Sequence, residues 1–166
     1  MIQRTKGAQS LAFAEAPCII SSASVVGKKE SEGPLGELFD MAGEDDLFGE
    51  RTWEEAESRI QKEACVLALG KAHLTPDRVR CLYGGDLLRQ GIATSMGAEE
   101  LQIPLFGLFG ACSTSGEALA LAAMSAAAGY GEYMLAVTSS HFGTAEKEFR
   151  FPLSYAASGL CRPSGQ

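Results

Sequence analysis

A helix that is apolar on every side constrains this chain more than any other feature. In the stretch "GEALALAAMSAAAGY", residues Ala118 to Ala128 are alanine, leucine and methionine with one serine. A helix without a polar face is buried all round, and its small side chains allow neighbouring backbones to approach closely. A single sheet covers only one side of such a helix. A second half of the protein, or a second subunit, must therefore cover the other side.

Strands and helices alternate along the chain. Thr52 and Glu55 have the spacing of a capping box, ahead of an apolar stripe that runs to Gly70, and Asp86 is expected to begin a further helix. The stripe consists of Trp53, Ala56, Ile60, Ala64 and Leu67. Predicted strands cover "CIISSASVV", "VRCLYGG", "LFGLFG" (buried on both faces) and "YMLAVTSS". These strands lack regular polar alternation, which favours an α/β layered fold with a largely parallel sheet.

Cys112 stands directly before the alanine-rich helix, in "FGACSTS". Thr114 and Glu117 have the spacing of a second capping box, so the helix is expected to begin immediately after the cysteine. Unpaired N–H groups and the positive end of the helix dipole would then lie beside the thiol and favour the thiolate. A cysteine between small residues is also commonly a packing residue. The sequence leaves both interpretations of Cys112 open.

A nucleophilic cysteine needs a base or a cation nearby, and the chain has two histidines. His73 lies in a connection between helices, whereas His141 follows the strand that ends in "TSS". The ends of parallel strands gather at one edge of a sheet, where ligands bind. Cys112 and His141 are therefore expected to share an edge, which does not by itself make them a pair.

Charge and cysteine spacing exclude several function classes. The net charge is −7 and no basic stripe is present, so nucleic acid is not an expected partner. No spacing of cysteine and histidine suits a metal, and we expect no cofactor. We find neither a signal peptide nor a membrane span, and expect a reducing, intracellular compartment. The remaining cysteines are expected to be small buried hydrophobic residues: Cys18, Cys65, Cys81 and Cys161.

Five segments of the chain occur in a characteristic order and spacing: "GPLGELFD", "GGDLL", "IPLFGLFGACSTS", "TSSH" and "AEKEFRFP". Their order and spacing resemble the stage V sporulation protein AD family of the thiolase-like superfamily. The resemblance covers residues 17–155 of a single domain over 1–166, and residues 156–166 depart from it. It implies the N-terminal half of a thiolase-like fold. That half has a mixed, mostly parallel sheet with helices on both faces and a central buried helix after Cys112.

The resemblance also implies a function. Members of the family bind dipicolinic acid (pyridine-2,6-dicarboxylate) or its calcium chelate, and support its uptake into the developing spore. They work with other proteins of the same sporulation operon, including membrane proteins, so we expect a location at the spore inner membrane through those partners. Thiolase-like proteins are commonly dimers, and a homodimer is expected here.

By the same resemblance, Cys112 occupies the thiolase nucleophile position. The mouth of its helix would offer an anionic ligand the N–H groups and hydroxyls of four residues: Cys112, Ser113, Thr114 and Ser115. Candidate cations lie in segments that the family shares: Lys28, Lys29, His141 and Arg150, of which the last two are preferred. Arg150 has the alternative of pairing with Glu146 or Glu148, and Asp86 is expected to cap a helix rather than contact ligand.

Two other functions compete with ligand binding. The first is an acyltransferase of the thiolase or ketoacyl-synthase type, with Cys112 forming a thioester. The second half of the family, which supplies the remaining catalytic residues of such enzymes, is not part of this sequence, so we expect a protein that is not an enzyme. The second competitor is a fragment that needs a partner merely to remain folded and that exposes apolar surface when alone.

Overall fold

The computed structural model describes residues 5–88 and 91–146. The strands of this part of the chain are β1 (Thr5–Lys6), β2 (Ser10–Leu11), β3 (Val25–Val26), β4 (Met41–Ala42), β5 (Val79–Gly85), β6 (Leu105–Gly107) and β7 (Tyr133–Thr138). The helices are α1 (Lys28–Ser31), α2 (Trp53–Lys71), α3 (Ile92–Leu101) and α4 (Thr114–Ala127). Short 3₁₀ turns at Gly36–Leu38, Pro76–Arg78 and Ala111–Ser113 connect them.

The main sheet is parallel and has the strand order β6-β5-β7. Outside it, β3 and β4 form a small parallel pair, and β1 and β2 an antiparallel one. Successive residues of β5 point to opposite faces: Leu82 joins a core with Cys65 and Leu69 of α2, whereas the Tyr83 hydroxyl lies 2.6 Å from Ser125 Oγ of α4. The predicted α/β fold, with a mostly parallel sheet and helices on both faces, is confirmed.

Helix α2 begins as the sequence predicts. The Thr52 hydroxyl accepts from Glu55 N–H at 3.2 Å, and the Glu55 carboxylate accepts from Thr52 N–H at 3.0 Å, which completes the capping box. The two bonds satisfy N–H groups that have no partner within the helix. The helix ends at Lys71, one residue beyond the predicted Gly70.

Three other elements differ from the prediction. Of "CIISSASVV" only β3 is a strand, because residues 18–23 have no neighbouring strand to bond in the described part of the chain. Helix α3 begins at Ile92, several residues after Asp86. Strand β6 is not buried on both faces, since Phe106 is 53% exposed at the edge of the sheet, where it stacks on Tyr83.

The central helix α4 follows Cys112 as predicted, but the described residues do not bury it all round. Thr114 and Ala118 are its buried residues, while Leu119 and Met124 are 53% and 43% exposed. The reason is the one that the sequence itself suggests: α4 packs on β5 and β7, and a sheet covers one side of a helix only.

The cysteines divide by environment. Cys65 is buried in the core, and desolvation raises the pKa of its thiol to about 12, so it packs as a hydrophobic residue. Cys81 is half-buried. The expectation of burial is wrong for Cys18, which is exposed because no element of residues 5–88 and 91–146 covers its segment. Cys161 lies outside the described residues.

An ion pair joins the end of α2 to the segment before β4. Lys71 Nζ lies 2.6 Å from Asp40 Oδ1, and Ser24 N–H donates to Asp40 Oδ2 at 2.8 Å. These contacts lower the pKa of Asp40 below its ordinary value of 3.8. The hydrogen bond from Lys71 is the main cause, and the hydrogen bond from Ser24 is the second.

This lowered pKa predicts a pH dependence of stability. The unfolded chain takes up a proton at Asp40 at a higher pH than the folded chain. The stabilisation from ionised Asp40 is therefore complete above pH 3.8, and it is lost as the pH falls through the pKa of the folded chain. The melting temperature of Asp40→Asn should therefore lie below that of the parent at neutral pH and converge with it in acid. Thermal melts along a pH series test this, and a difference that stayed constant down to the most acidic sample would contradict it.

Candidate functional site

The parallel sheet brings three strand ends to one edge, as the sequence predicts. Ser139 N–H, just after β7, donates to Gly85 O at 3.3 Å, and Leu108 N–H, just after β6, donates to Gly84 O at 2.8 Å. The connection to Cys112 thus starts on one side of β5 and the connection to His141 on the other. Neighbouring strands are about 4.8 Å apart, so β6 and β7 are separated by roughly 10 Å. The two candidates share an edge without being adjacent in the sheet.

Cys112 sits in a tight connection between β6 and α4. The 3₁₀ turn Ala111–Ser113 leads into the helix, and Ala111 has φ +49°, a left-handed conformation that costs a non-glycine residue roughly 1–2 kcal/mol. The thiol of Cys112 is exposed at this turn. A strained residue next to an exposed thiol at the end of a strand is an arrangement found at functional sites.

The predicted capping box of α4 does not form. Ser113 is the residue before the helix and no side chain caps the first turn. The Thr114 hydroxyl instead turns back and accepts from Gly110 N–H at 3.0 Å, and the Ser113 hydroxyl bonds the Glu117 carboxylate at 2.7 Å and Gly110 O at 2.8 Å. The cause is the preceding 3₁₀ turn, which places these hydroxyls against Gly110. No side-chain oxygen is bound to the N–H groups at the mouth of α4, although those of Ser113 and Thr114 donate to the main-chain oxygens of Gly110 and Ala111.

The four residues at this mouth differ in access. Cys112, Ser113 and Ser115 are exposed, whereas Thr114 is buried. The Ser113 hydroxyl is engaged by Glu117, and Thr114 holds the turn together. Of the four, Cys112 and Ser115 are thus the side chains that a ligand could reach without breaking a bond in the described structure.

His141 is committed to another contact. Its Nδ1 accepts from Gly143 N–H at 3.0 Å, so Nε2 carries the proton and donates to Asp46 O at 2.6 Å. With both ring nitrogens occupied, His141 is not hydrogen-bonded to Cys112. The imidazole instead joins the segment after β7 to the loop before α2.

The other candidate cations are not brought to Cys112 by a contact of the described chain. Lys28 and Lys29 are exposed in the short helix α1, and neither belongs to an ion pair among the described residues. Arg150 lies outside the described residues.

A buried polar network lies under this edge, and sequence reasoning missed it. Glu57 of α2 is fully buried and accepts from the hydroxyls of Ser139, at 2.7 Å, and Thr144. Gln61, one turn further along α2, donates to Ser139 Oγ at 3.1 Å and Thr94 Oγ1 at 3.0 Å. The network ties α2 to the segment that follows β7.

Asp86 continues the network from the end of β5. Its carboxylate is buried and accepts from Leu88 N–H and Thr94 N–H, both at 2.8 Å, and from the Thr94 hydroxyl. Thr94 is in the first turn of α3, so Asp86 caps that helix from eight residues away in sequence. The expectation that Asp86 caps a helix agrees with this geometry, although the helix starts later than predicted.

The network also corrects the predicted face of α2. The expected stripe includes Trp53, yet Trp53 is 43% exposed, while Glu57 and Gln61 are buried. The signal was present as two polar residues four positions apart, in helical register with Cys65. A prediction from hydrophobicity alone chooses the wrong buried face of α2, because it places polar residues such as Glu57 and Gln61 in solvent.

Within residues 5–88 and 91–146, no helix is both long and apolar enough to cross a bilayer.

Comparison with known proteins identifies the family. The sequence model of the family "Stage V sporulation protein AD (SpoVAD)" matches residues 7–162. Stage V sporulation protein AD of Bacillus subtilis (strain 168) is 41% identical over 150 residues, which are 90% of this chain and 44% of that protein. Among solved structures, the priming β-ketosynthase from the R1128 polyketide biosynthetic pathway has a TM-score of 0.46 and 20% identity, covering 57% of this chain and 31% of its own. The chain spans less than half of the curated relative, and it belongs to the stage V sporulation protein AD family.

Proposed function

We propose that this protein binds dipicolinic acid and supports its uptake into the developing spore. The observation that supports it best is the mouth of α4, where Cys112 and Ser115 are exposed beside a helix N-terminus that no side chain caps. A carboxylate at a helix N-terminus accepts from the N–H groups there and is favoured by the helix dipole. The membership in a sporulation family agrees with this role.

The charge at this mouth favours the calcium chelate over the free dianion. The Glu117 carboxylate lies in the first turn of α4, bonded to the Ser113 hydroxyl. It repels a doubly charged anion, whereas a one-to-one calcium chelate of dipicolinate has no net charge. The chain as a whole carries a net charge of −7, which acts in the same direction.

The proposal includes partners. Proteins of the same sporulation operon, among them membrane proteins, would hold the chain at the spore inner membrane. A homodimer would cover the outer side of α4, where Leu121 and Met124 are exposed. An exposed apolar helix face of this kind is commonly a contact surface.

The proposed role is binding rather than catalysis. Thioester chemistry at Cys112 needs a base within hydrogen-bond reach. His141 is the histidine at the same edge, and both of its ring nitrogens are engaged by Asp46 and Gly143. This arrangement supports a binding protein over an acyltransferase of the thiolase type.

Calorimetric titration of the purified chain with dipicolinate, with and without calcium, tests the proposal. We expect saturable binding that is tighter with calcium and about tenfold weaker in Cys112→Ala, which is about 1.4 kcal/mol. Cys18→Ala is the matched control, because Cys18 is also an exposed free cysteine but lies in another segment. Glu117→Gln should strengthen binding of free dipicolinate and leave that of the chelate nearly unchanged.

A folded chain that gave no binding heat in either condition would refute the proposal for this chain. Equal losses in Cys112→Ala and Cys18→Ala would move the ligand away from the mouth of α4. Circular dichroism of each variant establishes that the compared proteins are folded.

A further inference from the structure

One buried carboxylate of α2 holds both ends of the segment that follows β7. Glu57 Oε1 accepts from the Ser139 hydroxyl at 2.7 Å, and Glu57 Oε2 accepts from the Thr144 hydroxyl. Glu57 and Thr144 are fully buried, so water does not compete for the bond between them. We name residues 139–144 the edge segment, because they lie at the edge of the sheet that also carries the mouth of α4. The two ends of the edge segment are thus bonded to the same side chain.

The energetic cost of this carboxylate indicates a role other than stability. Within residues 5–88 and 91–146, no lysine, arginine or histidine forms an ion pair with Glu57. A buried carboxylate without a countercharge costs free energy that its hydrogen bonds only partly return, and an apolar side chain of similar volume is often more stable in such a place. The carboxylate supplies direction instead. It fixes where two hydroxyl protons point, and so where the backbone that carries these hydroxyls lies.

Gln61 keeps the Ser139 hydroxyl in this direction. The amide nitrogen of Gln61 donates to Ser139 Oγ at 3.1 Å, so the Ser139 hydroxyl must donate elsewhere, and Glu57 is its acceptor. The same amide nitrogen lies 3.2 Å from Gly85 O. Gly85 in turn packs against Thr114, the first residue of α4. The network therefore touches both the edge segment and the mouth of α4.

The backbone of the edge segment determines how the His141 ring is held. The Thr144 hydroxyl lies 2.8 Å from His141 O, within reach of a second, weaker bond beside the one to α2. The ring accepts the Gly143 N–H on Nδ1 and donates from Nε2 to Asp46 O. A ring bonded in this way at both nitrogens has one tautomer. That tautomer depends on the backbone position that the anchored Thr144 hydroxyl fixes.

We propose that Glu57 is a positioning residue of the ligand site, which it serves by holding the edge segment in one conformation. The inference rests on the proposed function in taking dipicolinate as the ligand. The two carboxylates of dipicolinate lie on either side of a rigid ring, so a molecule with one carboxylate at the mouth of α4 presents its ring and its other carboxylate to the rest of this edge. The edge segment offers the exposed Ser140 and Phe142 there. A wall that is already ordered binds more tightly than one that must be ordered on binding.

Nitrogen NMR of the histidine rings at mildly alkaline pH tests the positioning without any ligand. We expect one tautomer at His141 in the parent, with the proton on Nε2. Glu57→Ala removes the acceptor of both anchoring hydroxyls, so the nitrogen shifts of His141 should move toward those of a mixture of tautomers. His73 is the only other histidine of the sequence and is exposed, which makes it an internal reference whose signals should stay in place.

Glu57→Gln is the conservative variant and should keep the parent signals of His141. The oxygen of the introduced amide accepts from the Ser139 hydroxyl, and its N–H2 group donates to Thr144 Oγ1. The Thr144 hydroxyl then donates to His141 O, which already lies 2.8 Å away. Each anchor is thus retained without the charge, so a loss caused by removal of the anchors is rescued by this variant.

Calorimetric titration with calcium dipicolinate measures the consequence for the site. We expect binding at least about tenfold weaker in Glu57→Ala and within about twofold of the parent in Glu57→Gln. Leu69→Ala is the matched control, because it also truncates a buried side chain of α2 but one that belongs to the apolar core. It should lower the melting temperature and leave both the His141 signals and the affinity unchanged. Circular dichroism establishes that each compared protein is folded.

A second pair of variants applies if Glu57→Ala does not fold. Thr144→Val removes one anchoring hydroxyl with little change of shape and should alter the His141 signals, whereas Thr144→Ser restores the hydroxyl and should not. Unchanged His141 signals in the folded Glu57→Ala or Thr144→Val protein, or equal losses of affinity in Glu57→Ala and Leu69→Ala, would overturn the positioning role. A parent that gave no binding heat would refute the proposed function instead, and the His141 signals would then decide by themselves whether Glu57 holds the edge segment.

Discussion

Gly85→Ala should destabilise the protein by roughly 2–3 kcal/mol, the range expected for overpacking a rigid site. A Cβ at this position would overlap the carbonyl oxygen of Leu108 and lie 2.7 Å from Thr114 Cγ2. The main-chain oxygen cannot rotate away as a side chain can, because Leu108 N–H is itself bonded to Gly84 O. Either β5 or the connection that carries Cys112 must move. Denaturant unfolding measures the loss as a lower midpoint at an unchanged slope.

Gly107→Ala is the matched control for this change. It lies at the end of the neighbouring strand β6, and a Cβ there meets nothing within 4 Å. Its effect should stay within about 0.5 kcal/mol, as for other exposed sites. If the two alanine variants unfolded at the same midpoint, the close packing of Gly85 against the Leu108–Thr114 connection would be wrong.

Asp86→Ala should cost about 3 kcal/mol of stability. The substitution leaves the N–H groups of Leu88 and Thr94, and the Thr94 hydroxyl, without their acceptor at a buried site. Each buried polar group left unsatisfied costs about 1–3 kcal/mol. The effect should include fraying of α3, whose first turn Asp86 caps, and helical circular dichroism together with chemical unfolding would measure both.

Asp77→Ala provides the comparison, since Asp77 is an exposed carboxylate in the 3₁₀ turn before β5. We expect it to change stability by no more than about 0.5 kcal/mol. A double-mutant cycle of Asp86→Ala with Thr94→Val isolates the shared bond and should give a coupling of at least about 0.5 kcal/mol. No coupling, together with equal effects at positions 86 and 77, would contradict the proposed role of Asp86.

Much of the fold could be predicted from local patterns. The capping box at Thr52 and Glu55 marks the start of α2 because it depends on residues three positions apart. Strands β5 and β7 fall where the apolar runs indicate, since both pack against helices through their side chains. The capping box at Thr114 and Glu117 failed, although its spacing is the same. A 3₁₀ turn that includes the strained Ala111 redirects both hydroxyls, and spacing alone does not reveal that turn.

The sequence predicts where the candidate residues lie, but not what they contact. Its place at the shared edge of a parallel sheet follows from strand order, and the exposure of Cys112 agrees with a site there. The hydrogen bond from His141 to Asp46 joins residues 95 positions apart in sequence, and no local pattern indicates it. The buried contacts of Glu57 and Gln61 were not predicted for the same reason, because a polar residue is expected at the surface unless its distant partners are known.

By itself, the sequence determined the order of strands and helices, the parallel α/β class and the family, because these depend on apolar runs, caps and motifs that are local in the chain. The tertiary structure alone decided which face of α2 is buried, where Asp86 and His141 find their partners, and that the described residues leave one side of α4 and the edge of β7 uncovered. These outcomes depend on hydrogen bonds and packing between segments far apart in sequence, whose energies exceed the local preferences that a sequence pattern reports.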